Sequence, residues 1–169
     1  MNFYMTSGTA EFMEKLVAKY PNEQMILLHG EGKSVVLHET EGKTLFSLPR
    51  KYVVDTSHGV LEQRGYFTLF HLSLDSASRE VFTQRFKDVT ASLNDDATMI
   101  GYRLLSPKKN TEQLIFLAQW TGPASFEAWK NSNFFKTNMA PLLQTESSSV
   151  QKIFDGESYL ATYTAPPVE

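Results

Sequence analysis

From Gly65 to Ala165 the chain alternates extended and helical signals in the order strand, helix, strand, strand, helix, strand. Gly65 to Leu74 reads as a strand. Asp75 or Ser76 then caps a helix whose apolar face is Phe82, Phe86, Val89 and Leu93, and Asn94-Asp95-Asp96 ends it. Met99 to Leu105 is the next strand, closed by Ser106-Pro107. Lys108-Lys109-Asn110 turns the chain into Gln113 to Trp120. A helical stretch and a loose polar stretch, Gln144 to Ser149, follow. Gln151 to Ala165 supplies the last strand, with Tyr159, Ala161 and Tyr163 on one face.

Short turns between neighbouring strands imply antiparallel pairing, and two helices in these positions cover one face of the sheet. The expected class is α+β, a ferredoxin-like antiparallel sheet with helices on one face. A smaller α+β unit precedes it. Phe3 to Thr6 reads as a strand, and Thr9 caps a helix with Phe12, Leu16 and Tyr20 on its apolar face; Pro21-Asn22 stops it. Met25 to His29, Ser34 to Glu39 and Thr44 to Leu48 follow as a meander. Tyr52-Val53-Val54 is a short strand or a helical turn, and Asp55 to Arg64 joins the units. The expected boundaries are 1–62 and 63–169. The first unit looks like a partial copy of the second, without a sequence repeat between them. Gly30-Glu31-Gly32-Lys33-Ser34 has the flavour of a phosphate loop. However, Leu27 stands where that loop needs its first glycine, and no helix follows, so it reads as a hairpin turn.

Both tryptophans lie between Gln119 and Met139. Thr121 is a natural N-cap, Pro123 suits a first helical turn, and Phe126 and Trp129 share a helix face. Ser132-Asn133 offers a second helix start before Phe134-Phe135. Two short helices meeting at a break would bring these aromatic groups together over a sheet, as packing or as a seat for a flat apolar ligand.

Composition removes several classes. The chain has 169 residues, no cysteine and a net charge of −3. Disulfides, thiolate metal sites and cysteine nucleophiles are excluded, and no basic footprint points to nucleic acid. The N-terminus lacks the charged and apolar regions of a signal peptide, and no apolar run approaches the roughly 18 residues of a membrane span. The expectation is a cytoplasmic protein.

Phe82-Thr83-Gln84-Arg85-Phe86-Lys87, Tyr102 to Pro107, Trp120 with Ser125 to Trp129, and Ser132 to Lys136 together resemble the antibiotic-biosynthesis-monooxygenase domain. Within it they resemble the IsdG-type haem-degrading enzymes. Ser7 to Phe12 and His38 to Thr44 are similar to the N-terminal extension of HmoB-type haem monooxygenases. TRAP-like stress and signalling proteins share this two-part layout. The resemblance implies a site of an asparagine on the first strand, a tryptophan, and a histidine on haem iron. Trp129 matches the tryptophan, and the resemblance gives it the role of pressing on the porphyrin. Phe70, followed by His71, stands at the asparagine, and Met139 stands at the histidine.

His71 lies on the strand beside the motif position, directed to the other side by alternation, so that a twist or bulge would be needed to turn it in. His71 or Met139 is the candidate axial ligand, and His71 is also a candidate donor to the distal ligand. Phe70, Phe126, Phe135 and Met139 are candidate haem contacts; Arg85 and Lys136 are candidate partners of the propionates. The implied function is oxidative opening of haem with O₂, an external electron donor and an electron-donating reductase, releasing iron. The alternatives are a non-catalytic haem-binding or TRAP-like protein, and an oxygenase of another planar substrate. IsdG-type domains pair through their sheets, so the first unit is expected to occupy the second subunit's place and leave the chain monomeric.

Overall fold

The computed structural model describes residues 1–94, 97–109, 113–140 and 158–167, with the side chains of 89, 91 and 92 left aside. Its strands are β1 (Asn2–Gly8), β2 (Met25–Gly30), β3 (Ser34–Thr40), β4 (Arg50–His58), β5 (Tyr66–Leu72), β6 (Met99–Pro107), β7 (Leu114–Trp120) and β8 (Tyr159–Thr164). Helix α1 (Ala10–Lys19) follows β1, α2 (Ser76–Asn94) follows β5, and α3 (Pro123–Trp129) follows β7, with a π-helical turn over Phe135–Met139. The expected roles of Val89, Asp95, Asp96, Asn110 and Gln144 to Ser149, and the first part of the expected last strand, fall outside the described residues.

The strands close into one antiparallel barrel in the order β1-β3-β2-β8-β5-β7-β6-β4. The second unit is ferredoxin-like, since its four strands run in spatial order fourth, first, third, second. The first unit repeats that order as β4-β1-β3-β2. The two sheets therefore meet edge to edge twice, at β4–β6 and at β2–β8. The seams are unequal. β4 follows β6 from Tyr52 to His58, whereas β2 and β8 pair only at His29–Thr164 and Gly30–Tyr163.

Alternation along each strand builds three cores. Phe3, Met5, Leu28 and Leu37 of the first unit meet Phe67, Leu69, Ile115 and Leu117 of the second inside the barrel. Outside it, α1 covers Tyr4, Met25 and Val36. On the opposite side, α2 and α3 cover Phe70, Tyr102, Leu104, Phe116 and Trp120. Among the described residues each sheet thus has its helices on one face only.

Several local expectations need correction. Helix α1 buries Met13 and half-buries Leu16, Val17 and Tyr20, while Phe12 is 72% exposed. Thr44 to Leu48 is a loop rather than a strand; its Phe46 is buried beside His38 and Tyr4. The segment from Tyr52 belongs to β4, which extends through His58, so the inter-unit link shortens to 59–65. Helix α3 is capped by Gly122, which brings no side-chain bond; Thr121 Oγ1 instead meets Ser125 Oγ at 2.7 Å. Asp75 is the cap of α2, its Oδ1 accepting from the Ser78 amide at 2.7 Å.

A single guanidinium ties the units together. Arg103 on β6 is buried and donates to both carboxylate oxygens of Glu39 on β3, at 2.6 and 3.1 Å. Its remaining N–H groups reach the carbonyls of His58, Tyr102 and Gly59 at 2.8–2.9 Å. All five donors are thereby used, which is the condition for burying such a group at little cost.

Candidate functional site

The site to test is the outer face of the second sheet. β5 presents Thr68, Phe70 and Leu72 there, and β7 presents Phe116 and Trp120. Helix α3 starts at Pro123, where the missing N–H costs nothing, and puts Phe126 and Trp129 down onto that face. Ser132 Oγ then accepts from the Phe135 amide at 3.2 Å and opens the next turn. That turn is π-helical, and Ala140 N–H reaches back to the Phe135 carbonyl. The wider turn carries Phe135 and the fully buried Met139 to the same face. π-turns of this kind concentrate at functional places.

Trp129 is the centre of the cluster. Its ring lies 5.2 Å from Trp120, 5.3 Å from Phe135, and 6.0–6.1 Å from Phe116 and Phe70. Phe70 in turn meets Phe126 and Phe135 at 6.0 Å. Trp120 differs in that its Nε1–H donates to the buried Thr68 hydroxyl at 2.9 Å, which fastens it to the sheet. Phe126, Trp129 and Phe135 converge over the sheet as the spacing predicted, and Phe70 and Met139 lie in the same cluster. Arg85 and Lys136 are exposed side chains of the covering helical segments. Lys130 pairs with Glu127 at 3.0 Å and lies over the Phe126 ring.

His71 does not join this cluster. The β5 ladders to β7 and β8 run without a register shift from Tyr66 to Leu72, so no bulge turns it, and strict alternation sends it to the barrel side. There it stacks on Tyr159 with ring centroids 4.4 Å apart. Burial, with smaller contributions from the Arg50 and Lys33 charges, lowers its pKa to about 4, so it is neutral at pH 7. As an axial ligand or distal donor for this face it is corrected away, which leaves the Met139 thioether as the ligand candidate present.

One polar group beside Met139 escaped the sequence reading. Asn138 donates from Nδ2 to the Phe134 carbonyl at 3.1 Å, while its buried Oδ1 finds no partner among the described residues. Its place in the sequence, one residue before the motif position, was the available signal. The lining suits a flat apolar ligand, with aromatic walls and one soft donor atom. Phe70, Trp129, Phe135 and Met139 pack together between the sheet and the covering segments.

A ferredoxin-like sheet with helices on one face is a fold shared with several solved structures. Residues 66–140 match the family described as Antibiotic biosynthesis monooxygenase. The relatives it resembles carry two different names. Signal transduction protein TRAP of Staphylococcus epidermidis is 21% identical over 140 residues, 83% of either chain. The haem-degrading monooxygenase of Listeria monocytogenes is 23% identical over 146 residues, 85% of this chain and 87% of that one. Among solved structures, a major regulator of staphylococcal pathogenesis superposes with a TM-score of 0.84 at 16% identity, over 99% of this chain and 100% of that chain. LmHde, a haem-degrading enzyme from Listeria monocytogenes, superposes with 0.77 at 20% identity, over 98% and 100%. At such identities these structures establish the fold, and their coverage runs through both units. Among the described residues no helix is long and apolar enough to cross a membrane.

Proposed function

We propose that the chain is a haem-degrading monooxygenase that takes haem between the outer face of β5–β7 and the α3 to Met139 segment. The observation that carries this reading is Trp129, at the matching motif position and central to an aromatic seat on the family's fold. Bound haem would supply the iron that activates O₂, with electrons from an external donor or reductase. The chain's own residues do the rest. Phe70 and Phe126 wall the seat, Trp129 presses on the ring, and exposed Arg85 and Lys136 meet the propionates. Entry requires Phe135 and Met139 to swing off the sheet. Both residues sit on the π-turn, an irregular element of the kind found at functional sites.

The absence of an amide at Phe70 and of a histidine at Met139 favours a second reading, a non-catalytic haem-binding or TRAP-like protein on the same scaffold. Adding haemin and then ascorbate in air separates the two. The first reading expects a shifted Soret band that decays with ascorbate, and a band that persists in Trp129→Phe. A shifted band that never decays in the wild type supports the second reading. No band shift at all overturns both.

A further inference from the structure

The two ends of the barrel treat charge differently. At one end the Arg103 guanidinium is neutralised by Glu39. At the other, two cations stand without a counter-charge among the described residues. Arg50 opens β4 opposite Met5, a residue of the barrel interior, and cross-strand partners share a face. Lys33 closes the β2–β3 turn, its carbonyl accepting from the Gly30 amide at 2.9 Å, two residues before the interior Val35. His71 of β5, paired with Ile115 and Tyr159, faces the same interior. These positions belong to separate parts of the wall, since β6 and β7 part β4 from β5, and β8 parts β2 from β5. Even so, the Arg50 and Lys33 charges both act on His71, and Arg50 acts on Tyr163 of β8 as well. Side chains from across the barrel therefore converge over this mouth.

The mouth has a packed floor and an aromatic rim. Met5, Leu28, Val35 and Ile115 beneath it are fully buried. The Tyr163 ring lies against Gly30, in the space a Cβ would need. Tyr159 stacks on His71 and stays 46% exposed. Neither Arg50 nor Lys33 belongs to an ion pair among the described residues, and Glu31, exposed in the same turn as Lys33, is not joined to it. Two like charges turned toward one mouth repel each other unless an anion lies between them, and an apolar floor strengthens both effects. A forked guanidinium beside a compact ammonium is a donor set suited to phosphate oxygens.

We propose that this end of the barrel binds a small dianion of the phosphate class between Arg50 and Lys33, above His71. The site opens from the barrel interior, apart from the outer face assigned to haem, so the two readings stand or fall separately. The test uses the full chain, ¹³C-labelled in its histidine rings, titrated at neutral pH with inorganic phosphate and, separately, with sodium chloride to equal ionic strength. The His71 resonance, identified by its absence in His71→Phe, shifts saturably with phosphate and not with chloride. Arg50→Gln weakens phosphate binding at least about tenfold, the scale of a lost charge-assisted hydrogen bond. Lys33→Glu, at an exposed turn where folding is not at stake, weakens it about fivefold. Lys51→Gln, exposed on the other face of β4, leaves it unchanged. A non-saturable shift, an equal response to chloride, unchanged binding in Lys33→Glu, or an equal loss in Lys51→Gln would overturn the proposal.

Discussion

Trp120 and Trp129 touch each other, yet their surroundings assign them different tasks. Trp120 is bonded to Thr68 and fully buried, so Trp120→Phe leaves the Thr68 hydroxyl unpaired beside a small void. The expected loss is about 2–3 kcal/mol in denaturant unfolding, with the fold retained. Among the described residues the Trp129 ring is surrounded by aromatic neighbours, with no comparable hydrogen bond to the sheet. At the same scale, His71 gives the chain an acid limit. The unfolded histidine titrates near 6.5 and the folded one near 4. As pH falls from 6.5 toward 4, the unfolded chain takes up a proton that the native one refuses, so stability drops, by about 3 kcal/mol in total. Above 6.5 the group contributes no pH dependence. His71→Phe keeps the stack on Tyr159 and should flatten this limb in unfolding curves measured from pH 7 to 4; an unchanged limb would show that other groups cause it. His71 also marks where residue-level reading stops. Its face followed from period-2 alternation, but nothing in the sequence shows that β5 lacks a bulge.

The link is the element on which the architecture turns. It begins and ends with glycines at positive φ, Gly59 at 73° and Gly65 at 78°. A Cβ on Gly59 would collide with the Ile100 carbonyl, and one on Gly65 with the Trp120 carbonyl. Gly59→Ala and Gly65→Ala should each cost about 1–3 kcal/mol, read as a lower denaturation midpoint, and Gly32→Ala, in open space at the hairpin, should cost less. The elements themselves were largely legible. Apolar runs bounded by turn residues located β1, β2, β3, β5, β6 and β7, because half-buried strands leave an alternating or continuous apolar trace. The same cue misassigned Thr44 to Leu48, whose Phe46 is buried by a loop crossing the sheet rather than by pairing. It under-read β4, whose residues Asp55, Thr56 and Ser57 are polar yet paired or adjacent to pairing with β6. Helix α1 was found and its face misjudged. At 100° per residue Phe12 lies about 90° from the centre of the stripe formed by Met13, Leu16, Val17 and Tyr20.

At the scale of the molecule, two sheets with the same strand order close one barrel within one chain. This supports the proposal that residues 1–62 stand where a second subunit would. Neither the closure nor the Arg103–Glu39 pair that spans it was visible in sequence, because both depend on which edges meet across long separations. Removing residues 1–62 would bare Phe67, Leu69, Leu105, Ile115 and Leu117, all buried in the full chain. The 63–169 fragment should then dimerise or precipitate, as exposed apolar faces do, and light scattering would register either. The first unit's outer face is closed by α1, so the proposed function assigns haem to a single face per chain. The direct measurement is the mass and haem content of the haemin-saturated full-length chain by light scattering with simultaneous absorbance. The account predicts a particle with the 19.2 kDa polypeptide mass carrying one haem. A particle of twice that mass, or one that carries no haem or two per chain, would contradict it.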